Sequence, residues 1–145
     1  SKSNYNFVKL SRGLTAYQTF GKAEDQTIIV LHGATLPSEG YEGFCKGLSS
    51  EGYQVVCYDQ YGRGYSDRPK LKYNMNLYIN QLEELLEYLS IDEVILYGLS
   101  SFEGETNLLM SIYLFAIPNK SIIINKVKHV IAVNSLIFLF FKSLF

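Results

Sequence analysis

Four short, mainly apolar segments most constrain how this chain can fold. They are TIIVL (Thr27–Leu31), YQVVCY (Tyr53–Tyr58), EVILYG (Glu93–Gly98) and VKHVIAV (Val127–Val133). Apolar runs that are continuous rather than alternating are typical of strands buried on both faces of a sheet. Helical patterns lie between these segments. The sequence therefore predicts an α/β fold, a mostly parallel sheet with helices on both faces.

The segments between and before these strands complete the predicted element order. One helix is expected from Tyr41 to Leu48, with Gly52 able to end it, and another from Ser101 to Ala116, ended by Pro118. A third is predicted by apolar residues spaced three or four apart, namely Met75, Ile79, Leu82, Leu86 and Leu89. Near the start, NFVKL and LTAYQTF flank SRG and predict a β-hairpin at an edge of the sheet.

Composition excludes several classes of protein. With 145 residues, 48% of them hydrophobic and 19% charged, the chain suits one globular domain. A net charge of −1 gives no reason to expect nucleic acid as a partner. Cys45 and Cys57 have neither metal-ligand nor CxxC spacing, so we expect buried thiols, no metal and no cofactor. Unpaired thiols favour a reducing compartment such as the cytoplasm.

Neither end of the sequence predicts a membrane segment. Residues Ser1 to Gly13 alternate polar and apolar side chains without the apolar core of a signal peptide. The final segment SLIFLFFKSLF is strongly apolar, but Lys142 interrupts it and it is too short to span a bilayer. We therefore expect no transmembrane segment.

Three loops with unusual polar content follow predicted strands. They are HGAT after Leu31, DQYGRGYSDRP after Tyr58 and GLSS after Tyr97. In an open parallel sheet, ligands bind beyond the carboxyl ends of the strands. These loops are therefore the candidate functional site.

Taken in order, the three loops resemble those of the α/β-hydrolase family, over about Phe7 to Ser135. That family has a His-Gly turn, an Asp-x-x-Gly-x-Gly-x-Ser loop and then a Gly-x-Ser-x-Gly nucleophile elbow. The resemblance implies the N-terminal portion of a serine esterase or lipase, which hydrolyses small or lipidic carboxylic esters through an acyl-serine intermediate. It implies two segments, a partial hydrolase domain over 1–135 and an apolar tail over 136–145.

The resemblance also assigns roles to individual residues. Ser100 takes the nucleophile position, and Gly33 and Ala34 form the oxyanion turn, with the backbone N–H groups of Ala34 and Ser101 as donors. The remaining residues shape the site, namely His32, Gly98, Asp59, Gly62, Gly64 and Ser66. Phe102 departs from the pattern, because the family has a small residue two positions after the nucleophile.

A serine nucleophile needs a base and an acid that orients it, and neither is found in this chain. After Ser100 the acids are Glu103 and Glu105, on the helix that begins at the elbow, where the family does not place its acid. His129 is the one histidine after Ser100. It lies near the start of its predicted strand, so we expect it at the opposite end of the sheet.

Two other functions remain open. The chain could be a truncated product or pseudoenzyme that acts as a binding or structural protein. It could also be a small α/β binding module, in which Ser100 caps a helix whose N-terminus holds an anion. The last predicted strand would be an unpaired sheet edge unless SLIFLFF covers it. An uncovered edge and an apolar tail would invite self-association.

Overall fold

The structure, a computed structural model, describes residues 1–33, 37–100, 126–134 and 138–142; for residues 99–100, 127–134 and 138–142 it describes the backbone. The strands are β1 Asn6–Leu10, β2 Gly13–Phe20, β3 Thr27–Leu31, β4 Gln54–Tyr58, β5 Val94–Ser100, β6 Val127–Asn134 and β7 Phe138–Lys142. The α-helices are α1 Glu42–Ser50 and α2 Met75–Tyr88, and two 3-10 turns cover Lys2–Asn4 and Ser38–Tyr41. Every strand predicted from the sequence is present.

These strands form one mixed sheet in the order β1-β2-β4-β3-β5-β6-β7. The four central strands are parallel, with β3 between β4 and β5, and β6 beside β5. The hairpin of β1 and β2 is antiparallel and pairs with β4 through β2. The predicted α/β architecture is therefore confirmed, with an antiparallel strand next to the parallel core on each side.

Two elements extend beyond the sequence prediction. Strand β5 continues past Gly98 to Ser100, where Ser100 pairs with Asn134 of β6. Residues Phe138–Lys142 form β7, which runs antiparallel along β6. The apolar segment after β6 thus covers the strand edge that would otherwise be unpaired. The helix predicted over Ser101 to Ala116 lies outside the described residues.

The two helices cover opposite faces of the sheet. Helix α2 packs Ile79, Leu82, Leu85 and Leu86 against alternate residues of β3, β4 and β5, such as Ile29. Helix α1 packs Cys45 and Leu48 against the other alternate set, which includes Val30, Val55 and Ile95. Side chains of a strand alternate between faces, so a continuous apolar run supplies both cores. Within the described residues, no helix is long and apolar enough to cross a membrane.

Candidate functional site

Three strand ends meet at one edge of the sheet. Leu31 of β3 pairs with Tyr58 of β4 on one side and with Gly98 of β5 on the other. The loops after Leu31 and Tyr58 therefore leave the sheet at the same level, and β5 runs two residues farther in the same direction, to Ser100. This is the edge at which a parallel sheet binds ligands.

His32 ties the loop after β3 to the loop after β4. Its Nε2 accepts a hydrogen bond from the Gln60 backbone N–H at 2.9 Å, and its Nδ1 lies 2.7 Å from the Gly33 carbonyl oxygen. A carbonyl only accepts, so Nδ1 carries the proton and the ring is the Nδ1–H tautomer. The Gln60 side chain donates back to the His32 carbonyl at 3.1 Å. Both ring nitrogens are occupied, which gives His32 a supporting position rather than that of a general base.

Asp59 is fully buried and anchors the loop after β4. One carboxylate oxygen accepts from the Ser38 N–H at 2.9 Å and from the Ser38 hydroxyl at 2.7 Å. The other oxygen accepts from the Tyr65 N–H at 2.9 Å. Three donors offset the cost of burying this carboxylate. Asp59 therefore joins the segment at Ser38 to its own loop.

The two glycines of the same loop allow this arrangement. Gly62 and Gly64 have φ of +84° and +50°, in the left-handed region that favours glycine. A Cβ on Gly64 would collide with the Asp59 carboxylate. Ser66 completes the loop, because its hydroxyl donates to the Asp59 carbonyl at 2.6 Å and accepts from the Ala16 N–H at 2.9 Å. The loop is thus joined to both Asp59 and β2.

Sequence reasoning missed Gln81, a fully buried amide on α2. Its Oε1 accepts from the Tyr61 N–H at 3.0 Å, and its Nε2 donates to the Thr15 hydroxyl at 3.0 Å and to the Asp59 carbonyl at 3.1 Å. The available signal was a second apolar stripe at spacings of four, Leu77, Gln81 and Leu85, in which one member is polar. A polar residue in such a stripe indicates a buried hydrogen-bonding partner.

Tyr5 and Ser38 were also missed, and they extend the network to the N-terminal segment. The Tyr5 hydroxyl lies 2.8 Å from the Ser38 Oγ, which itself donates to Asp59. Because the Ser38 proton is directed at Asp59, Tyr5 is the donor to Ser38. Burial raises the pKa of Tyr5 well above its ordinary value, so the phenol stays protonated. The contacts span 33 and 21 positions, which no local pattern reveals.

Ser100 is the last residue of β5, directly after Gly98 and Leu99, and its backbone pairs with Asn134. It therefore lies at the same edge of the sheet as His32 and Asp59. His129 pairs with Ile95, five positions back along the β5 strand. At about 3.3 Å per residue this is roughly 16 Å along the sheet, well beyond hydrogen-bond reach.

The predicted oxyanion turn is described only at its first residue. The Gly33 N–H donates to the Tyr41 hydroxyl at 3.3 Å. Ala34 and Ser101, whose N–H groups are the predicted oxyanion donors, lie outside the described residues, as does Phe102. The elbow and the oxyanion turn stay predictions from the sequence.

Cys45 and Cys57 are buried free thiols, as predicted, on the face that α1 covers. The neighbouring Cys45 and burial raise the pKa of the Cys57 thiol, so it remains protonated. Among the residues whose positions are described, no three His, Cys, Asp or Glu side chains are grouped to hold a metal ion.

Comparison with known proteins identifies a family whose model matches the part of the chain that carries this site. Residues 26–101 match the model of the alpha/beta hydrolase fold family, a range that contains His32, the Asp59 loop and Ser100. A proline iminopeptidase of Clostridioides difficile is 32% identical over 91 residues, which cover 59% of this chain and 31% of that protein. A non-heme chloroperoxidase of Streptomyces lividans is 27% identical over 89 residues, covering 61% and 32%.

A solved hydrolase from Pseudomonas aeruginosa PA01 has the same fold. It superimposes with a TM-score of 0.72 at 20% identity, over 90% of this chain and 45% of that one. The chain thus matches about a third of the length of these curated relatives and less than half of the solved structure. Since the family model covers residues 26–101 of 145, the chain belongs to the alpha/beta hydrolase fold family.

Proposed function

We propose that this chain carries the nucleophile half of a serine hydrolase that cleaves carboxylic esters, with Ser100 as the nucleophile. The observation that carries the proposal is the register of β3, β4 and β5. It brings Ser100 to the same edge of the sheet as the His32 turn and the Asp59 loop. A glycine two positions before the serine, Gly98, supports the tight turn that an exposed nucleophile requires.

The chemistry would proceed through an acyl-serine intermediate. The Ser100 Oγ attacks the ester carbonyl carbon, a C–O bond forms, and the hydroxyl proton passes to a base. The carbonyl oxygen becomes an oxyanion, which the N–H groups of Ala34 and Ser101 would stabilise. Collapse of the tetrahedral intermediate breaks the bond to the leaving alcohol, which receives the proton. A water molecule then hydrolyses the acyl-serine by the same steps in reverse.

The base for this reaction is not available among these 145 residues. His32 has both ring nitrogens engaged by backbone groups, and His129 is paired with Ile95, away from the Ser100 end of β5. The proposal therefore needs a histidine, and an acid to orient it, from residues that are not in this sequence. The chain matches only about a third of its curated relatives, which leaves room for such residues in a longer protein.

The substrate is proposed as a carboxylic ester, small or lipidic, on the basis of the family resemblance. The relatives differ in their named activities, since one is a proline iminopeptidase and another a non-heme chloroperoxidase. The family match over residues 26–101 supports the proposed acyl-transfer site more than any one substrate.

Chemical rescue tests this function without the missing half. Imidazole in solution can act as the base, so hydrolysis of p-nitrophenyl acetate by the 145-residue chain should rise with imidazole concentration. Imidazole alone also cleaves this ester, so Ser100→Ala measures the background. The imidazole-dependent increase in hydrolysis rate should be at least about tenfold larger for the unaltered chain than for Ser100→Ala. Equal rates for the two proteins at every imidazole concentration would exclude Ser100 as a nucleophile.

A non-catalytic protein is the second candidate, and Phe102 is the feature that favours it. A bulky side chain two positions after the nucleophile crowds the turn that the family keeps small. Phe102→Gly separates the two candidates. If Phe102 only hinders the turn, the imidazole-dependent rate should increase in this variant; if the chain has lost the site, the rate should stay at the level of Ser100→Ala.

A further inference from the structure

A hollow lies between the Asp59 loop and the start of helix α2. Its volume is about 400 Å³, and six residues line it: Tyr61, Gly62, Arg63, Arg68, Tyr73 and Tyr78. Two arginines and three tyrosines thus face one space, and no acidic residue is among them. Its lining includes Gly62 of the Asp59 loop but does not include His32, Asp59 or Ser100.

No carboxylate of the described residues pairs with either arginine of the hollow. Within the described part of the chain, neither Arg63 nor Arg68 forms an ion pair, and both are exposed. Arg68 makes one long hydrogen bond, from Nη2 to the Gly64 carbonyl at 3.5 Å. Asp67, the acid next to Arg68 in sequence, accepts from the Leu14 N–H at 2.7 Å instead. Each guanidinium therefore keeps most of its five donors for a ligand.

The tyrosines add a flat apolar wall to this positive charge. The ring of Tyr73 is 41% exposed, and its centroid lies 6.3 Å from that of Tyr78. The absence of a side chain at Gly62 lets the Tyr73 ring lie close to the loop, since a Cβ there would be only 3.0 Å from Tyr73 Cε1. Arg63 stands near enough to Tyr78 to lower its pKa, against a larger increase caused by burial. Charge and ring surface are thus adjacent.

Nearby cations strengthen the field around the hollow. An adjoining depression of about 240 Å³ is lined by Arg12 and Lys72 together with asparagines and leucines, again without an acidic residue. Lys70 lies on the same loop and is exposed. These cations outnumber the nearby acids Glu84 and Asp67, whose charges act on Tyr61, and such an excess attracts a ligand of the opposite sign and raises its local concentration.

We propose that the hollow between Arg63, Arg68, Tyr73 and Tyr78 binds a small organic phosphate whose phosphate is attached to a flat ring. Planar guanidinium groups match phosphate oxygens with paired hydrogen bonds. Tyrosine rings offer a flat surface for the attached ring. This binding function is additional to the proposed esterase activity and does not depend on Ser100.

Isothermal titration of the 145-residue chain at low ionic strength tests the proposal, with phenyl phosphate as the probe. Phenyl phosphate should bind more tightly than inorganic phosphate, and phenol should bind least. Arg63→Gln and Arg68→Gln should each weaken phenyl phosphate binding by about tenfold, because each removes a charge-assisted hydrogen bond. Tyr73→Ala should weaken phenyl phosphate binding while leaving inorganic phosphate binding unchanged.

Lys22→Gln provides the matched control, because it removes one exposed positive charge from the loop between β2 and β3, at the other end of the parallel strands. It should change the dissociation constant of phenyl phosphate by less than twofold. The proposal is overturned if either arginine variant binds as tightly as the unaltered chain, or if Lys22→Gln weakens binding equally. Unchanged phenyl phosphate binding by Tyr73→Ala would overturn the ring contact. Urea unfolding midpoints of the Arg63→Gln, Arg68→Gln and Lys22→Gln variants should coincide with that of the unaltered chain, since these three side chains are exposed.

Discussion

The two ends of the parallel strands differ in what they bury. At the carboxyl ends, Asp59, His32 and Gln81 are buried and hydrogen-bonded to neighbouring loops. At the amino ends, an open hollow of about 620 Å³ has four acids in its lining, Glu24, Asp25, Asp92 and Glu93. The ion pair there joins Lys126 to Asp92 at 3.7 Å, and the Asp92 side chain is 93% exposed.

This difference shows where polar residues shape the molecule. A buried polar group costs free energy unless its hydrogen bonds are made, so each contact of Asp59 or Gln81 contributes to stability. Exposed charges are screened by water and contribute little. The carboxyl ends are therefore expected to be sensitive to single substitutions, and the amino ends tolerant of them.

The largest expected effect is at Asp59. Asp59→Ala leaves the Ser38 N–H, the Ser38 hydroxyl and the Tyr65 N–H without their acceptor, which should lower the free energy of unfolding by about 3 kcal/mol or more. Asp92→Ala, at the other end, should change it by less than about 0.5 kcal/mol. Urea unfolding of both variants measures the two changes in free energy of unfolding. Equal changes would show that the two ends of the strands do not differ in their sensitivity to substitution.

The next largest effect compares two glycines that both have positive φ. Gly64→Ala should destabilise the protein by about 3 kcal/mol, because its Cβ collides with the Asp59 carboxylate. Gly52, before β4 at the amino ends, has open space around it, so Gly52→Ala should cost only the backbone strain of about 1 kcal/mol. Equal unfolding midpoints for the two variants would show that the Asp59 loop rearranges to accommodate the added methyl group without losing stability.

The third largest effect is expected at Gln81, where substitution should lower the free energy of unfolding by about 2 kcal/mol. Gln81→Leu keeps the side chain buried but leaves the Tyr61 N–H without a partner. Gln26 lies at the amino ends with an exposed side chain, so Gln26→Leu serves as the matched substitution and should be nearly neutral. A Gln81→Leu protein as stable as the unaltered chain would mean that these hydrogen bonds contribute no net stability.

The smallest expected effect, about 1.4 kcal/mol at pH 11, appears at alkaline pH. Burial raises the pKa of Tyr58 above its unfolded value of about 10, so above pH 10 the unfolded chain loses this proton while the folded chain keeps it. Stability from Tyr58 is thus complete below pH 10 and falls by about 1.4 kcal/mol per pH unit above it. In Tyr58→Phe, the free energy of unfolding measured by urea at each pH should fall less steeply above pH 10, by about 1.4 kcal/mol per pH unit.

Local sequence patterns were enough to predict most of the fold. The runs TIIVL and YQVVCY form β3 and β4 with shifts of at most one residue, because short continuous apolar runs fit a strand that is buried on both faces. The full length of β5 was not predicted, since Leu99 and Ser100 are held in the strand by pairing with β6. The segment at β7 has no period that separates strand from helix, and only its partner β6 determines its form.

The candidate site was predictable only in part. Its loops carry recognisable residues, such as His32 and Asp59, but their partners come from distant parts of the sequence. Ser38 is 21 positions before Asp59, and Thr15 is 66 positions before Gln81. Periodicity describes neighbours along an element and cannot pair side chains across such separations.

The central claim is that Ser100 occupies a nucleophile position at the carboxyl end of β5. Mass spectrometry of the chain after reaction with a fluorophosphonate, in the presence of imidazole, tests it at the level of a single residue. We predict one adduct, mapped to Ser100, that is lost in Ser100→Ala and retained in Ser101→Ala. An adduct on Ser101 or on another serine, or an adduct that persists in Ser100→Ala, would contradict the claim.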